Sequence, residues 1–335
     1  MTAVTMVTTP HSCRSFHGNS SHLRKGRTTQ KTVGPMDFDD LKMGQGGSQK
    51  SPPSPRPTSA RDLRPRTSQH SLPSLRQVYF FMDLEPFPDE IHLLILSFVP
   101  ARDLLLRCRR VSQRWKRLVD SPSLWRIKCE REHRREMLRA AEMCQDFSWP
   151  KVYLKKPFSR NLLRNPCGTE QLDHWSAVHG GDGWRVEDNH SVLEGAESQT
   201  CFVTSFEWCE KSQVIDLLQE GLWEHFLDVH QPVICISDWY AGRNDCGCQY
   251  QIKVQLLAAD KKTVIKEFTM TPDPIPQWND ARYLQVYHEF CHYGPGVRYV
   301  TFVHKGRDTQ FWKGWYGARI SGSSVIVECK NLEPC

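Results

Sequence analysis

The chain has 335 residues, of which 39% are hydrophobic, and it carries a formal net charge of +6 and thirteen cysteines. No run of about 18 apolar residues occurs, which argues against a transmembrane helix, and an odd number of scattered cysteines argues against a disulfide framework. The length predicts about two domains, and residues 1–10 lack the apolar core of a signal peptide, so we expect a cytosolic or nuclear protein.

The first 80 residues form a basic segment rich in Ser, Pro and Arg. They carry twelve Lys or Arg against four Asp or Glu, a net of +8, so the other 255 residues sum to −2. The low-complexity run at residues 51–57 is typical of a chain that cannot bury enough apolar surface to offset the entropy of ordering. We therefore predict a disordered tail over residues 1–80. Its charges do not alternate with aromatic residues, which argues against specific nucleic-acid binding.

Residues 83–128 have the pattern of three short helices. Prolines and acidic residues at 83–90 are typical of a helix start, and apolar residues follow at helical spacing. The first helix should end at Pro100, and the second should begin near Ala101. The apolar positions are Ile91, Leu94, Ile95 and Phe98 in the first helix, Leu104, Leu105, Cys108 and Val111 in the second, and Trp115, Leu118 and Val119 in the third. Helices this short cannot bury all of their apolar surface, so part of it should contact a partner or the neighbouring domain.

Residues 129–158 have the composition of a helical linker. Good helix formers of mixed charge occupy residues 130–145, which predicts one charged helix. Pro150 and Pro157 should end the helical region, and the next domain is expected to begin at residue 159.

Residues 159–330 have an all-β pattern. Segments of alternating apolar and polar residues are separated by turns that contain Gly or Pro. Residues 214–227, which include Leu217, Leu218 and Trp223, suggest instead a helical or irregular crossing. The predicted strands are residues 201–206, 231–240, 250–257, 264–268, 284–290, 297–303 and 324–327. Many short strands predict an antiparallel, jelly-roll-like β-sandwich, so the fold class is a multidomain chain with α followed by β.

The loop at residues 308–319 carries the strongest binding signal. It places Phe311, Trp312, Trp315 and Tyr316 within six residues, with Lys313 among them. Loops at the rim of a sheet are where binding residues concentrate. Aromatic faces stack on apolar planes, and a lysine donates hydrogen bonds to hydroxyls, a combination that matches the two faces of a sugar ring. The alternative is that the rings pack in the core and the lysine is only solvated.

Other constellations give weaker signals. Cys246 and Cys248 lack a second matched pair, so we predict buried thiols and no metal site or cofactor. Asp238 and Asp245 lie near aromatic residues, but no spacing fixes the carboxylate separation that glycoside hydrolysis requires. We interpret Asp238 as a structural turn residue and Asp245 as a secondary candidate for a sugar contact. No triad or phosphate-binding loop is recognisable, so we expect no enzyme activity of the chain itself.

The helical segment at residues 83–128 resembles an F-box. The similarity runs from Phe87-Pro88-Asp89-Glu90-Ile91 to Leu124-Trp125, and its one departure is Phe87, where Leu is common. The resemblance implies a three-helix module that binds the Skp adaptor of a cullin–RING (SCF) ubiquitin ligase. The adaptor-contact positions that it implies are Leu84, Pro88, Ile91, Leu94, Leu104 and Leu105.

The β segment resembles the F-box-associated domain of the glycoprotein-recognising F-box family. Four motifs carry the similarity: RNLLRNPCG at 160–168, HGGDGW at 179–184, CFVTSFEWC at 201–209 and FWKGWYGAR at 311–319. The resemblance implies a lectin-like receptor for the inner chitobiose of high-mannose N-glycans on misfolded glycoproteins withdrawn from the endoplasmic reticulum. It implies that Trp312 stacks on a sugar, that Lys313 donates hydrogen bonds to it and that Phe206 forms a second wall. Phe311 stands where sugar-binding members have Tyr.

Two other functions remain open at this point. The chain could be an F-box adaptor that recognises a protein surface without glycan dependence, or a scaffold or signalling protein outside any ligase. In the ligase role, the chain would promote ubiquitin transfer by positioning a substrate near the active site of another subunit. The resemblance implies a cytoplasmic location, at the cytosolic face of the endoplasmic reticulum, without insertion into the membrane.

Overall fold

The computed structural model describes residues 85–144 and 147–329. The tail predicted over residues 1–80 and the adaptor contact predicted at Leu84 lie outside these ranges. None of the described helices is both long enough and apolar enough to span a bilayer. The α-helices of the N-terminal part are α1 (Asp89–Ser97), α2 (Ala101–Leu106), α3 (Gln113–Asp120), α4 (Pro122–Arg131), α5 (Arg135–Met143) and α6 (Trp149–Lys155).

Local capping fixes the short helices. Ser112 accepts a hydrogen bond from the backbone N–H of Trp115 at 3.1 Å and so caps α3, and Ser121 caps α4 in front of Pro122, which is favoured at the first helical position. The Lys128 ammonium is buried and donates to the carbonyls of Ser97 and Val99, both at 2.9 Å. Carbonyls at the end of α1, which have no partner within the helix, thereby accept hydrogen bonds from a charged donor. The buried apolar centre consists of Leu96, Leu104, Leu118, Val119, Leu124 and Trp125.

The linker differs from its prediction. The single charged helix expected over residues 130–145 is divided between α4 and α5, because the chain turns at His133 with φ +55°. The part of α4 before residue 130 was not predicted as a helix. Pro150 does not end a helix but lies in the first turn of α6, where its missing N–H would have no helical partner in any case.

The C-terminal part confirms the predicted antiparallel β-sandwich. One five-stranded sheet has the order β1-β4-β9-β6-β7, and the other has the order β2-β3-β10-β5-β8. The strands are β1 (Ser176–Val178), β2 (Arg185–Asp188), β3 (Thr200–Val203), β4 (Cys209–Asp216), β5 (Val233–Ala241), β6 (Cys248–Leu257), β7 (Val264–Met270), β8 (Leu284–Phe290), β9 (Tyr299–Asp308) and β10 (Arg319–Glu328).

Residues 217–227 form the predicted helical or irregular crossing, since they contain turns and the start of a short helical segment. Only the start of this segment was wrong, because residues 214–216 complete β4, which pairs with β9 over its full length. A π-helix at Phe226–His230 follows later in the same connection. The strand escaped prediction because β4 places the buried Lys211 on its inner face, where a hydrophobic pattern would carry an apolar residue.

The sandwich core contains a buried polar network. Asp238, interpreted from the sequence as a turn residue, lies within β5 and is fully buried. Its carboxylate accepts hydrogen bonds from Tyr250 and His304, both at 2.5 Å, and from Ser323 at 2.7 Å. A buried carboxylate is tolerated only with such partners, so Asp238 is a core residue.

Five connections that pass between the two sheets lie at one end of the sandwich. The strand register brings them together, because Arg319 at the start of β10 faces both Val203 at the end of β3 and Ala241 at the end of β5. We call the surface formed by residues 179–184, 204–208, 242–247, 271–283 and 309–318 the loop face. β4 runs away from it, so the π-helix and the adjoining α6 lie at the opposite end.

Candidate functional site

Aromatic rings are exposed at the centre of the loop face. Phe311 is 66% exposed and Trp312 is 39% exposed, so core packing does not explain these two side chains. Phe206, from the β3–β4 connection, lies with its ring centroid 5.1 Å from that of Phe311. Trp312 packs edge-on against Tyr316 with the centroids 5.5 Å apart. The structure therefore brings the three predicted aromatic site residues to one surface.

A buried carboxylate holds the exposed rings in place. Asp308 at the end of β9 is 3% exposed and accepts hydrogen bonds from the backbone N–H groups of Phe311 at 2.5 Å and Trp312 at 3.1 Å. Phe311 has φ +60°, a conformation that costs a non-glycine residue free energy. The charge-assisted hydrogen bonds offset this cost, so the rings are presented by a rigid turn.

Neighbouring loops pin the same turn from the other side. The N–H of Gly314 donates to the Asp182 carboxylate at 2.7 Å, and the carbonyl of Gly314 accepts from the Ser205 hydroxyl at 2.7 Å. Gly314 has φ +114°, which only glycine adopts readily. Lys313, between Trp312 and Gly314, is exposed, so its ammonium can donate to the hydroxyls of a ligand.

Asp245 lies on the loop face, where it pairs with an arginine. The Nε of Arg243 donates to the Asp245 carboxylate at 2.6 Å, and the guanidinium of Arg243 lies 4.7 Å from the ring centroid of Tyr316. Since Tyr316 packs against Trp312, Asp245 orients a cation that supports the rings. Sequence reasoning missed Arg243, because no local pattern reveals that the loops at residues 242–247 and 309–318 meet.

Trp278 is a further exposed ring that sequence reasoning missed. It lies on the β7–β8 connection, is 77% exposed and has φ +63°. Its neighbours attach this loop to the β5–β6 connection, since Gln277 donates to the carbonyl of Asp245 at 3.0 Å and Asn279 donates to that of Arg243 at 2.7 Å. The available signal was an isolated aromatic residue between Pro276 and a polar turn, which is a weak one.

Two clefts lie away from the exposed rings of the loop face. Two clefts of about 330 Å³ each are present in the described part of the chain. One is lined by residues 133–137 with Lys156 and Phe158, and the other by residues 193–197 with Trp239. Neither Phe311 nor Trp312 lines either cleft.

A second exposed apolar surface lies on α1. Pro88, Ile91 and Leu94 are exposed there, and Leu105 of α2 is half-buried. Leu104 is fully buried in the helical core, so it supports this surface from beneath and does not line it. Three exposed residues that were not among the predicted contacts extend it: Phe87, Ile95 and Phe98. We call the surface formed by Phe87, Pro88, Ile91, Leu94, Ile95 and Phe98 the helical face.

The two cysteines predicted to be buried thiols are buried in the structure. Cys246 and Cys248 are buried, and their thiols donate to the backbone carbonyls of Gly247 and Ala241. Burial raises the pKa of the Cys246 thiol to about 11 and that of Cys248 to about 12. Both are therefore protonated at neutral pH, as expected for structural thiols.

Comparison with known proteins gives two family matches and several close relatives. A family described as "F-box-like" matches residues 87–131, and one described as "F-box associated region" matches residues 153–327. F-box only protein 27 of Mus musculus is 48% identical over 256 residues, which cover 73% of this chain and 91% of the relative. F-box only protein 17 of Homo sapiens is 42% identical over 260 residues, which cover 74% of this chain and 93% of the relative. F-box only protein 2 of Bos taurus is 42% identical over 254 residues, which cover 73% of this chain and 84% of the relative.

A solved structure of TmCBM61 in complex with β-1,4-galactotriose aligns with 51% of the chain and 100% of its own, at 15% identity. Its TM-score of 0.34 is too low to support an inference about this chain.

Proposed function

Because the chain belongs to the family of F-box only proteins that carry an F-box-associated region, we propose that it is the substrate-recognition subunit of an SCF ubiquitin ligase. In this role the helical face binds the Skp adaptor, and the cullin–RING core joins through that adaptor. The domain boundaries that we propose are residues 83–128 for the F-box, 129–158 for the linker and 159–330 for the lectin-like sandwich. The chain supplies no catalytic residue and acts by holding the substrate near another subunit.

The proposed ligand of the loop face is the chitobiose core of high-mannose N-glycans. The observation that supports it is the pair of exposed rings, Phe311 and Trp312, fixed by the buried Asp308 next to the exposed Lys313. Ring faces stack on the C–H face of a sugar, and the ammonium donates to its hydroxyl rim. Phe206 would line the site beside Phe311, and Asp245 would act through Arg243.

The inner sugars of a glycan are accessible only where the surrounding protein is unfolded or flexible. A receptor for them would therefore select misfolded glycoproteins for ubiquitination and endoplasmic-reticulum-associated degradation. This role places the protein in the cytoplasm, at the cytosolic face of the endoplasmic reticulum.

A glycan array with the full chain tests the proposal. We expect binding to high-mannose and chitobiose-core glycans. We expect Trp312→Ala to remove this binding, because alanine has no ring on which a sugar can stack. Val192→Ala is the control, because Val192 is 78% exposed and lies outside the loop face. A folded wild-type chain that binds no glycan would contradict the proposal.

Recognition of a protein surface is the second candidate. It is favoured by Phe311, which exposes 66% of an apolar side chain without the hydroxyl that a polar ligand would use. Lys313→Ala separates the two candidates by substrate capture from cell extract. A loss of capture supports the glycan, whereas unchanged capture supports recognition of a protein surface.

A further inference from the structure

A cluster of three metal-ligating side chains lies at the end of the sandwich opposite the loop face. Cys144 follows the last turn of α5. In the β4–β5 connection, His225 precedes the π-helix and His230 is its last residue. One ligand atom of each residue lies within 4.8 Å of the others. The three residues come from two parts of the chain, so the cluster connects the helical region to the sandwich.

The π-helix explains how the two histidines meet. Its hydrogen bonds join residues five positions apart, as in the 3.0 Å bond from the N–H of Gln231 to the carbonyl of Phe226. Residues 225 and 230 have the same spacing, and their ring centroids are 5.7 Å apart. π-Helical turns are rare and occur frequently at functional sites.

His230 has a buried nitrogen that is available as a metal ligand. Its Nε2 is buried and has no hydrogen-bond partner in the described part of the chain, although buried polar atoms normally have one. A neutral imidazole ligates a metal through such a nitrogen.

An aromatic group adjoins the cluster, since the ring centroid of Phe226 lies 5.8 Å from that of His230. Trp223 stacks on Phe226 with the centroids 4.6 Å apart, and Phe147 packs edge-on against Trp223 at 5.1 Å. Phe226 and Cys144 are buried, whereas His225 is exposed. The cluster therefore has an apolar neighbour at His230, which limits access of solvent, and an open side at His225 through which an ion can enter.

We propose that Cys144, His225 and His230 bind one Zn²⁺ ion that fastens the end of α5 to the β-sandwich. A thiolate with two imidazoles is a ligand set that zinc prefers, and a water molecule would complete the tetrahedron. Zinc–ligand bonds of about 2.0–2.3 Å require the three donor atoms to move closer by roughly 1 Å, which rotation of the exposed His225 side chain can supply. On binding, the proton of the Cys144 thiol passes to solvent and no electron is transferred.

Cobalt titration of the full chain tests the proposal. The purified protein is stripped with a chelator and titrated with Co²⁺, whose bond to a thiolate gives a charge-transfer band in the near ultraviolet. We expect one Co²⁺ per chain, visible bands typical of tetrahedral geometry, and displacement by one equivalent of Zn²⁺. Cys144→Ser should remove the charge-transfer band, and His225→Ala should weaken Co²⁺ binding by at least about 10-fold.

Two matched variants serve as controls. Cys291→Ser changes a partly buried thiol outside the cluster, and His292→Asn changes an exposed histidine at φ +46°, a conformation that asparagine tolerates. Both should bind Co²⁺ as the wild type does. A wild-type chain without the thiolate band, or equal affinity in wild type and His225→Ala, would overturn the proposal. The His225 variant decides the question even if Cys144→Ser fails to fold, because His225 is exposed.

Discussion

The chain exposes two apolar surfaces that differ in how they are built. The loop face presents aromatic rings on loops whose backbone is held by the carboxylates of Asp308 and Asp182. The helical face presents Ile91, Leu94 and Ile95 of α1, together with Phe87, Pro88 and Phe98 at the two ends of the helix. Rings among hydrogen-bonding groups suit a ligand with both C–H faces and hydroxyls, whereas an apolar helix face suits a protein partner.

The difference shows that exposed hydrophobic residues do not all indicate the same ligand. On the helical face, binding energy can come only from removing apolar area from water. On the loop face, part of the free energy has already been committed to holding a strained turn in one conformation. Such preorganisation lowers the entropic cost of binding a small, polar ligand. The two surfaces should therefore respond differently to mutation.

Leu94→Asp should have the largest effect, and only on the helical face. It buries an unpaired charge in the adaptor interface, which costs about 3–5 kcal/mol, equivalent to at least about 100-fold in affinity. Leu94 is 48% exposed in the chain alone, so folding should change little. Affinity for the purified Skp adaptor is the measurement, with Val192→Asp as an exposed control. Unchanged adaptor affinity would show that the helical face is not the contact.

Asp308→Ala should damage the loop face and leave adaptor binding intact. It removes two charge-assisted hydrogen bonds to the turn, which should lower the free energy of unfolding by about 3 kcal/mol and abolish glycan binding. Urea unfolding and the glycan array measure the two effects. Asp308→Asn keeps one acceptor oxygen and should lose about half as much stability. If Asp308→Ala bound glycans normally, the turn would not need its carboxylate.

These two surfaces were predictable to different degrees. The rings of the loop face are adjacent in sequence, and the alternation of apolar residues predicted most strands, so the sandwich and its binding loop followed from local patterns. The residues that hold the loop did not: Asp182 lies 132 positions from Gly314, and no local pattern encodes such a contact. The burial of Leu104 could not be predicted either, because helical spacing alone cannot distinguish a buried leucine from one at the edge of a surface.

The long-range polar contacts were the least predictable features. Lys211 is fully buried and lies 3.3 Å from the ring centroid of Trp175, although a lysine in a strand pattern normally indicates an exposed position. Cys144 and His230 are separated by α6 and four strands. Their proximity depends on the packing of α5 against a π-helix that has no sequence signature.

Acidification should weaken the core beneath the loop face. Burial and the nearby Lys211 lower the pKa of His304 to about 4, below its unfolded value of 6.5. The unfolded chain therefore binds a proton that the folded chain does not, so stability falls as the pH drops from about 6.5 to about 4 and the effect is complete below that range. Between pH 7 and pH 5, we expect a loss of about 2 kcal/mol from this group.

His304→Gln isolates this contribution, because its amide can still donate to Asp238 but does not titrate. Urea unfolding at pH 7 and pH 5 should show a smaller pH dependence in the variant than in the wild type. The pKa values of His190 and His288 are also lowered by burial. The wild type and the His304→Gln variant should therefore both lose some stability between pH 7 and pH 5. An identical pH dependence would mean that His304 does not titrate in this range.

Phe311→Tyr should have the smallest effect and should improve binding. The side chain is 66% exposed and packs against Phe206, so a hydroxyl at its tip meets the ligand without disturbing the core. One additional hydrogen bond of about 1 kcal/mol corresponds to roughly fivefold tighter glycan binding. Calorimetric titration with chitobiose measures the change, and the stability in urea should match that of the wild type. Residue 311 lies outside the helical face, so affinity for the adaptor should stay constant. A variant that binds chitobiose no better would indicate that the ring edge of residue 311 points away from the sugar.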